Sequence, residues 1–245
     1  MNRIAVINPN TTASMTATIA AAARLVAAPT TEIVPLTSSM GPVSIEGYYD
    51  EAFALPGLLR EIGQAEGEGA RAAVIACFDD TGLDAARAMA TIPVLGICEA
   101  ALATAAFLAK RFTVVTTTER SRVPIEELAQ RYGMSGRARI RAADIPVLAL
   151  DDPASGARER LRAEIDRAIG EDKAEAIVLG CAGMADLARA LQEELGLPVI
   201  DGVGAAVKQA EALIALGLRT SKRGSYAPPL PKPYKGELSA FAPRE

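Results

Sequence analysis

Short apolar runs alternate along this chain with longer stretches in which apolar residues recur every three or four positions. Runs of four or five branched apolar residues are typical of buried parallel strands, and Ala-rich periodic stretches are typical of helices. The alternation therefore predicts βαβ units built on parallel sheets. The predicted strands cover residues 3–7, 32–36, 73–77, 93–96, 112–116, 145–149, 176–180 and 198–200. The predicted helices cover residues 12–27, 51–68, 82–90, 99–109, 121–132, 155–170, 183–195 and 204–216.

One order of segments occurs twice. A strand-like run that ends in Cys77 is followed by an Ala-rich helical pattern and by an apolar run that contains a proline. The same series starts again at Cys181, with offsets of 104 residues between the cysteines and 105 between the prolines. Residues 3–8 likewise resemble residues 111–116. Hydrophobic βα units often look alike, but three matches in one order at nearly one offset favour an internal repeat.

The repeat predicts an α/β fold with two similar, doubly wound parallel-sheet lobes that are related by a pseudo-two-fold axis. We expect residues 1–98 and 205–245 to form the first lobe, and residues 99–204 to form the second. In open parallel sheets, ligands bind beyond the carboxyl ends of the strands. The active site is therefore expected in the cleft between the lobes.

Composition and charge exclude several classes of partner. The chain of 245 residues has a net charge of −4 and no block of basic residues, which disfavours a nucleic-acid partner. No apolar run approaches the roughly 18 residues that a membrane span needs. The N-terminus lacks a signal-peptide cleavage pattern. These features predict a cytoplasmic protein without a nucleic-acid or membrane partner.

The absence of histidine narrows the chemistry. It excludes Ser-His-Asp triads, Cys-His pairs and histidine-based metal sites. Asp79 and Asp80 resemble metal ligands, but no third clustered carboxylate accompanies them, so we expect no metal and interpret one of them as a cap of the following helix. The three widely spaced cysteines do not form a disulfide pattern and are predicted to be free thiols. Acid and base groups must then be Cys, Asp, Glu, Lys or Tyr.

Two of the thiols occupy equivalent positions of the repeat. Cys77 and Cys181 each follow a predicted strand, so a pseudo-two-fold axis would bring them to opposite walls of the cleft. A helix is predicted shortly after Cys77, and the positive end of its dipole would favour the thiolate. For each cysteine alone, a buried structural role is the alternative. Cys98 has no counterpart in the second half, and we interpret it as structural.

Polar loops after the predicted strands supply the candidate binding groups. Residues 7–12 can cap a helix, contact a polar ligand, or do both, and residues 116–120 offer a similar cradle of hydroxyl and N–H groups. The loop at 38–50 carries Ile and two Tyr and is predicted to form a wall or lid. The Pro-rich tail at 220–234 is predicted to be extended, either packed on a neighbouring subunit or loose. The candidate substrate-binding residues are Asn8, Asn10, Ser44, Ile45, Phe78, Asp79, Thr117, Thr118, Gly180, Ala182 and Gly183.

Five segments carry a resemblance to a known family: residues 7–12, 41–51, 76–84, 179–184 and 201–203. Together they resemble the hydantoin racemase branch, which includes allantoin racemases, of the aspartate/glutamate/hydantoin racemase superfamily. The resemblance covers nearly the whole chain. Glutamate and aspartate racemases carry Asn-Thr after the first cysteine and Thr after the second. Here those places hold Phe78-Asp79 and Ala182-Gly183, which argues against a free amino acid as substrate.

The resemblance implies that Cys77 and Cys181 act as an acid/base pair without a cofactor, in a homo-oligomer that is a dimer, tetramer or hexamer. One thiolate would remove the acidic C5 proton of a small substrate, a 5-substituted hydantoin, and the opposite thiol would return a proton to the other face. N–H groups beside each cysteine would stabilise the enolate-like oxygen. Allantoin, which carries a ureido substituent, is the alternative substrate. The further alternatives are a two-lobed binding protein and a lyase like the arylmalonate decarboxylases, although those lack the first cysteine.

Overall fold

The computed structural model describes residues 1–152 and 154–243. Within them, eight strands form two four-stranded sheets that are flanked by helices. The strands are β1 (Asn2–Asn8), β2 (Thr31–Thr37), β3 (Ala72–Ile75), β4 (Val94–Gly96), β5 (Phe112–Thr116), β6 (Ala138–Ala142), β7 (Ala176–Gly180) and β8 (Val199–Asp201). The α-helices are α1 (Ala13–Val26), α2 (Tyr48–Gly67), α3 (Leu83–Met89), α4 (Ile97–Leu108), α5 (Glu119–Arg131), α6 (Ala157–Glu171), α7 (Ala188–Leu195) and α8 (Gly202–Ala215).

The two sheets have the same strand order. The first sheet runs β2-β1-β3-β4 and the second runs β6-β5-β7-β8, so each strand has its counterpart four strands later. Every pairing of neighbouring strands is parallel. Cys77 follows the third strand of the first sheet, and Cys181 follows the third strand of the second. The predicted α/β fold with two similar parallel-sheet lobes is confirmed.

Helices cover both faces of each sheet, because successive side chains of a strand point to opposite faces and both faces are apolar. In β1, Ile4 and Val6 face a central core, whereas Ala5 and Ile7 face an outer core. The central core contacts both sheets and is filled by α1, α4, α5 and α8. Helices α2 and α3 cover the outer face of the first sheet, and α6 and α7 cover that of the second. Since this core belongs to both sheets, the division into residues 1–98 with 205–245 and residues 99–204 stays a prediction.

The strand predicted at residues 145–149 is wrong. The edge strand β6 lies earlier, in the alternating sequence Ala-Arg-Ile-Arg-Ala, and its Arg141 pairs with Asp172 at 2.6 Å. An edge strand tolerates such charged positions because it faces a neighbour on one side only. Pro146 cannot donate a ladder hydrogen bond, and the chain forms a 3-10 helix at Val147–Asp151 instead. The apolar Ile145 is buried in the outer core of the second sheet rather than in a strand.

The other predicted strands and helices are confirmed to within a few residues, except that the helix predicted at 183–195 is divided. Its first part, Ala182–Leu187, is a 3-10 helix, and α7 follows. No helix among residues 1–152 and 154–243 is long and apolar enough to cross a bilayer.

The C-terminal tail is mostly extended and exposed, as its prolines predict. It makes several contacts with the first lobe of its own chain, beginning with the Thr220 hydroxyl, which donates to the Ile92 carbonyl at 2.7 Å. The Lys222 ammonium donates to the Arg87 carbonyl at 2.6 Å, and the Tyr226 hydroxyl donates to Asp84 at 2.9 Å. Further along the chain, the centre of the Phe241 ring lies 5.2 Å from the guanidinium carbon of Arg60 in α2. These contacts hold the tail against α2 and α3.

Candidate active site

A cavity of about 430 Å³, open to solvent, lies at the carboxyl ends of the central strands of both sheets. Strands β1, β3, β5 and β7 all lead to it, as the general rule for parallel sheets predicts. The residues that line it are Asn8, Pro9, Asn10, Met15, Ile45, Ala76, Cys77, Phe78, Asp79, Thr116, Thr117, Ser121, Val147, Gly180, Cys181 and Ala182.

The two cysteines of the repeat line this cavity from different sheets. Both side chains are half-buried. They lie within electrostatic range of each other, since Cys181 contributes to raising the pKa of Cys77. Cys98 is fully buried in α4 within the central core and does not line the cavity. Two thiols in one small cavity can exchange protons with a ligand held between them.

The surroundings of Cys77 do not favour its thiolate, contrary to the expectation from a nearby helix dipole. Burial, followed by the negative charge of Asp79, raises the pKa of Cys77 well above its usual value, although the Asp79 N–H acts in the opposite direction. Helix α3 begins only at Leu83, too far along the chain for its dipole to dominate. Cys77 is therefore held as a thiol near neutral pH.

Asn8 and Asn10 form part of the polar wall and also hold the first loop together. The Asn8 amide donates to Asn10 Oδ1 at 2.8 Å and to Thr16 Oγ1 at 3.1 Å. Asn10 Oδ1 in turn accepts from the Thr12 N–H at 2.9 Å. Asn8 and Asn10 therefore stabilise the loop before α1 and also line the cavity where a polar ligand is expected.

The second lobe contributes hydroxyl groups from the equivalent loop. Thr116 and Thr117 line the cavity, and the Thr116 hydroxyl donates to the Gly180 carbonyl at 3.0 Å, which joins the ends of β5 and β7. Ser121 lines the cavity from the first turn of α5.

The loop at 38–50 reaches the cavity through one residue, Ile45, which is buried. Hydrogen bonds join this loop to the loop that follows β1. The Thr11 N–H donates to the Pro42 carbonyl at 3.0 Å, and the Thr12 hydroxyl donates to the Val43 carbonyl at 2.7 Å. It forms a wall beside Phe78, a second buried apolar residue of the lining.

Three predicted binding residues do not line the cavity. The Ser44 hydroxyl donates to Glu46 at 3.0 Å, and the Thr118 hydroxyl shares a hydrogen bond with Ser121 at 3.2 Å. Gly183 lies directly behind Cys181, where a Cβ atom would be 3.8 Å from Sγ. Gly183 thus leaves room around the sulfur without contacting the cavity.

The two adjacent aspartates have different positions. Asp79 lines the cavity beside Cys77, whereas Asp80 points into the protein. The sequence predicts that one of the two aspartates caps the helix that follows, α3. The Asp80 side chain instead caps α4. Its carboxyl accepts from the N–H groups of Cys98 and Glu99 at the start of α4, both at 2.9 Å, and from the Tyr132 hydroxyl at 2.7 Å.

Burial raises the pKa of both carboxyls to about 7. For Asp79, the nearby charges of Glu51 and Asp80 add to this effect. For Asp80, the three hydrogen-bond donors act in the opposite direction. Across the described part of the chain, no group of three or more Cys, Asp or Glu side chains is arranged to hold a metal ion.

Three lining residues that the sequence patterns did not indicate are Met15, Ser121 and Val147. Met15 and Ser121 lie in the first turns of α1 and α5, the helices that follow the two equivalent loops. The repeat could have indicated this pair, because the first turn after a strand faces the same cleft. Val147 lies in the segment 145–149, for which the sequence predicts a strand, but it begins a 3-10 helix instead.

The chain matches the family described as Asp/Glu/Hydantoin racemase over residues 4–210. It therefore belongs to the Asp/Glu/hydantoin racemase family. This confirms the resemblance that the sequence motifs indicated, and it makes the protein a racemase, which is an isomerase.

Similar proteins within the racemase family cover nearly the whole chain. A hydantoin racemase from Pseudomonas sp. (strain NS671) is 49% identical over 98% of this chain and 96% of its own length. A hydantoin racemase from Rhizobium meliloti is 52% identical over 92% of this chain and 94% of its own. The structure of allantoin racemase from Klebsiella pneumoniae has a TM-score of 0.97 at 48% identity and covers 100% of both chains.

Proposed function

We propose that this racemase inverts the C5 centre of 5-substituted hydantoins by a two-cysteine mechanism without a cofactor. The observation that carries the proposal is that Cys77 and Cys181 line one cavity from equivalent positions of the two sheets. The C5–H of a hydantoin is acidic because the carbanion is delocalised onto the adjacent carbonyl. A planar carbanion between two sulfur atoms can be formed from one face and protonated from the other.

The proton balance needs one thiolate and one thiol. Because the pKa of Cys77 is raised, we assign the thiol of the resting pair to Cys77. Cys181 then removes the C5 proton from one enantiomer, and the Cys77 thiol gives its proton to the opposite face. The product leaves a thiol at Cys181 and a thiolate at Cys77, which is the form that acts on the other enantiomer.

The remaining lining residues suit a small amide ring. The side chains of Asn8, Asn10 and Thr117, with the backbone at Gly180 and Ala182, offer neutral hydrogen-bonding groups to ring N–H and carbonyl groups. An enolate-like oxygen needs such donors as charge develops on it. Ser44, Thr118 and Gly183 are proposed to act indirectly, by holding the residues that line the cavity.

The substituent at C5 separates the two candidate substrates. The apolar residues Ile45, Phe78, Met15 and Val147 favour an alkyl or aryl group. Allantoin is the second candidate, because Ser121 could hydrogen-bond its ureido group, and because the structurally similar Klebsiella protein is an allantoin racemase. A cytoplasmic location and a homo-oligomeric assembly remain part of the proposal.

The test follows each pure enantiomer of a 5-alkylhydantoin and of allantoin in D₂O, by polarimetry and by NMR of the C5 position. The two-cysteine scheme predicts that the product enantiomer carries deuterium while the remaining substrate keeps its proton, since different groups remove and return it. Spontaneous racemisation without enzyme is subtracted. Deuterium that enters substrate and product equally would contradict the scheme.

Single cysteine variants complete the test. Cys77→Ser and Cys181→Ser should each abolish racemisation, and each should keep C5 exchange with only one enantiomer. Cys98→Ala is the matched control, because Cys98 is buried in the central core, and this variant should still racemise. Racemisation by either serine variant at the wild-type rate would remove that cysteine from the mechanism.

A further inference from the structure

The Asp79 carboxyl lies between two cavities and has no hydrogen-bond partner for its side chain among residues 1–152 and 154–243. It lines the catalytic cavity beside Cys77. It also lines an outer cavity of about 640 Å³ that lies between α2, α3 and α5. Enclosed polar groups in proteins are almost always hydrogen-bonded. The half-buried Asp79 carboxyl is therefore open to water or a ligand from the catalytic cavity or from the outer cavity.

The charges around Asp79 do not stabilise a carboxylate. Glu51 and Asp80 both act on it as negative charges and, after burial, raise its pKa. Arg131, the basic residue that lines the outer cavity within the described part of the chain, pairs with Asp84 at 3.7 Å. The titratable and charged groups around Asp79 are Tyr48 and Glu51 of α2, Asp84 of α3, Cys98 of α4, Glu127 and Arg131 of α5, Asp80 and Cys77 of its own loop, and Cys181, which lines the same catalytic cavity.

A neutral carboxyl group has a distinct pattern of hydrogen bonding. It presents an O–H donor and a carbonyl acceptor side by side. The edge of a cyclic amide presents the complementary pair, a carbonyl acceptor beside an N–H donor. Two parallel hydrogen bonds can then join the acid to the ring, whereas a carboxylate would repel the carbonyl oxygen.

We propose that Asp79 is a substrate-binding residue that holds an amide edge of the hydantoin ring as a neutral carboxylic acid, donating to a ring carbonyl and accepting from the adjacent ring N–H. This inference rests on the proposed function, because it takes its ligand from that reaction. Protonation of Asp79 also removes a negative charge from beside Cys77, where a thiolate and an enolate-like oxygen have to form during the reaction. Ionisation of Asp79 would weaken ring binding and oppose the Cys77 thiolate.

The test compares two substitutions of similar size. Asp79→Asn keeps a donor and an acceptor side by side and cannot ionise, whereas Asp79→Leu keeps the bulk but neither group. The ligand is unsubstituted hydantoin, which is achiral and measures ring binding apart from racemisation. Its Kd is measured by ligand-observed NMR from pH 5.5 to 8.5. Asp84→Asn is the matched control, since it removes a carboxyl from the outer cavity but not from the catalytic cavity.

Asp79→Leu should weaken hydantoin binding by about 10-fold at pH 6, the effect of losing two neutral hydrogen bonds. Asp79→Asn should bind within about 3-fold of the wild type at pH 6, since an amide makes the same pair of neutral bonds. Wild-type Kd should rise as pH passes about 7, and the Asp79→Asn Kd should stay level. Asp84→Asn should follow the wild-type curve.

Infrared difference spectra give a readout that does not depend on activity. The C=O stretch of a protonated carboxylic acid should respond to hydantoin in the wild type at pH 6 and should be missing in Asp79→Asn. Equal loss of binding in both Asp79 variants at every pH would overturn the proposal, since it would mean that a carboxylate is required. Unchanged binding by Asp79→Leu would overturn it as well. Failure of the two-cysteine scheme would instead appear as continued racemisation by Cys77→Ser.

Discussion

The Asp80 carboxyl connects three parts of the fold, so its removal gives a sharp prediction for stability. Two backbone N–H groups at the start of α4 and the Tyr132 hydroxyl after α5 donate to it, at 2.9, 2.9 and 2.7 Å. It follows directly after Asp79 and so also fixes the end of the loop from which Cys77 and Asp79 line the cavity. Gly96 leaves the space that the carboxyl occupies, because a Cβ there would be 2.2 Å from Asp80 Oδ1.

Asp80→Ala would leave the two N–H groups of α4 without partners in a buried region. Each unsatisfied buried donor costs about 1–3 kcal/mol, and loss of a helix cap alone costs about 1 kcal/mol, so we expect a loss of roughly 3 kcal/mol. For a chain of this size that corresponds to a melting temperature about 6–12 °C lower. Asp80→Asn keeps one acceptor oxygen and removes a buried charge whose pKa is raised to about 7, so at pH 8 it should lose less than half as much.

Thermal unfolding at pH 8, followed by far-UV circular dichroism, measures these differences. Tyr132→Phe is the control, because it removes one donor and leaves the cap of α4 intact; it should lose about 1 kcal/mol. A decrease of less than about 3 °C for Asp80→Ala would refute the assignment of Asp80 as a buried cap. Equal effects of the Ala and Asn variants would refute the argument that hydrogen bonding, rather than packing, carries the contribution.

Three further substitutions test other parts of the structure. Gly180→Ala would place a Cβ 2.9 Å from Thr116 Cβ, so separating β5 and β7 should cost about 1–3 kcal/mol in a urea titration and lower kcat in a polarimetric assay. Asp79→Asn should raise the melting temperature relative to the wild type at pH 8 more than at pH 5. The pKa of Asp79 is raised from 3.8 to about 7, so its contribution to stability is complete below pH 3.8 and is lost as pH rises through 7. Arg141→Lys should cost about 1–2 kcal/mol in the same urea titration, because an ammonium group cannot reproduce the two hydrogen bonds of 2.6 and 2.8 Å to Asp172, and it should leave kcat unchanged.

The repeat could be predicted because a strand that is buried on both faces has a continuous apolar sequence. Such runs end at Ile75 and Gly180, and residues 76–79 and 180–182 line the cavity. Edge strands carry no such signal. β6 contains Arg139 and Arg141, whereas the apolar run after it is buried against helices, so hydrophobicity alone assigned the strand to the wrong segment.

The chemistry of the site was less predictable than its position. A loop sequence does not reveal that burial and Asp79 raise the pKa of Cys77, because that effect depends on how many side chains enclose the sulfur. The loop sequence also does not reveal the hydrogen bonds of Asp80, whose partners lie 18 and 52 positions away, in α4 and after α5. Pairing across such distances is decided by the packed fold and leaves no local pattern.

The two halves of the repeat do not give the two cysteines equal surroundings, and this difference can be measured. Asp79 lies beside Cys77, whereas small residues, Ala182 and Gly183, follow Cys181. Enantiomers have equal free energies in water, so the equilibrium constant is one and kcat/KM must be the same in both directions. Unequal surroundings can therefore change kcat and KM only by a common factor.

We expect the two enantiomers to differ in KM, with kcat differing in the same ratio, and Asp79→Asn to reduce that ratio. Progress curves from each pure enantiomer supply all four constants. Equal KM values for the wild type would mean that the Asp79 side of the cavity does not distinguish the two enantiomers.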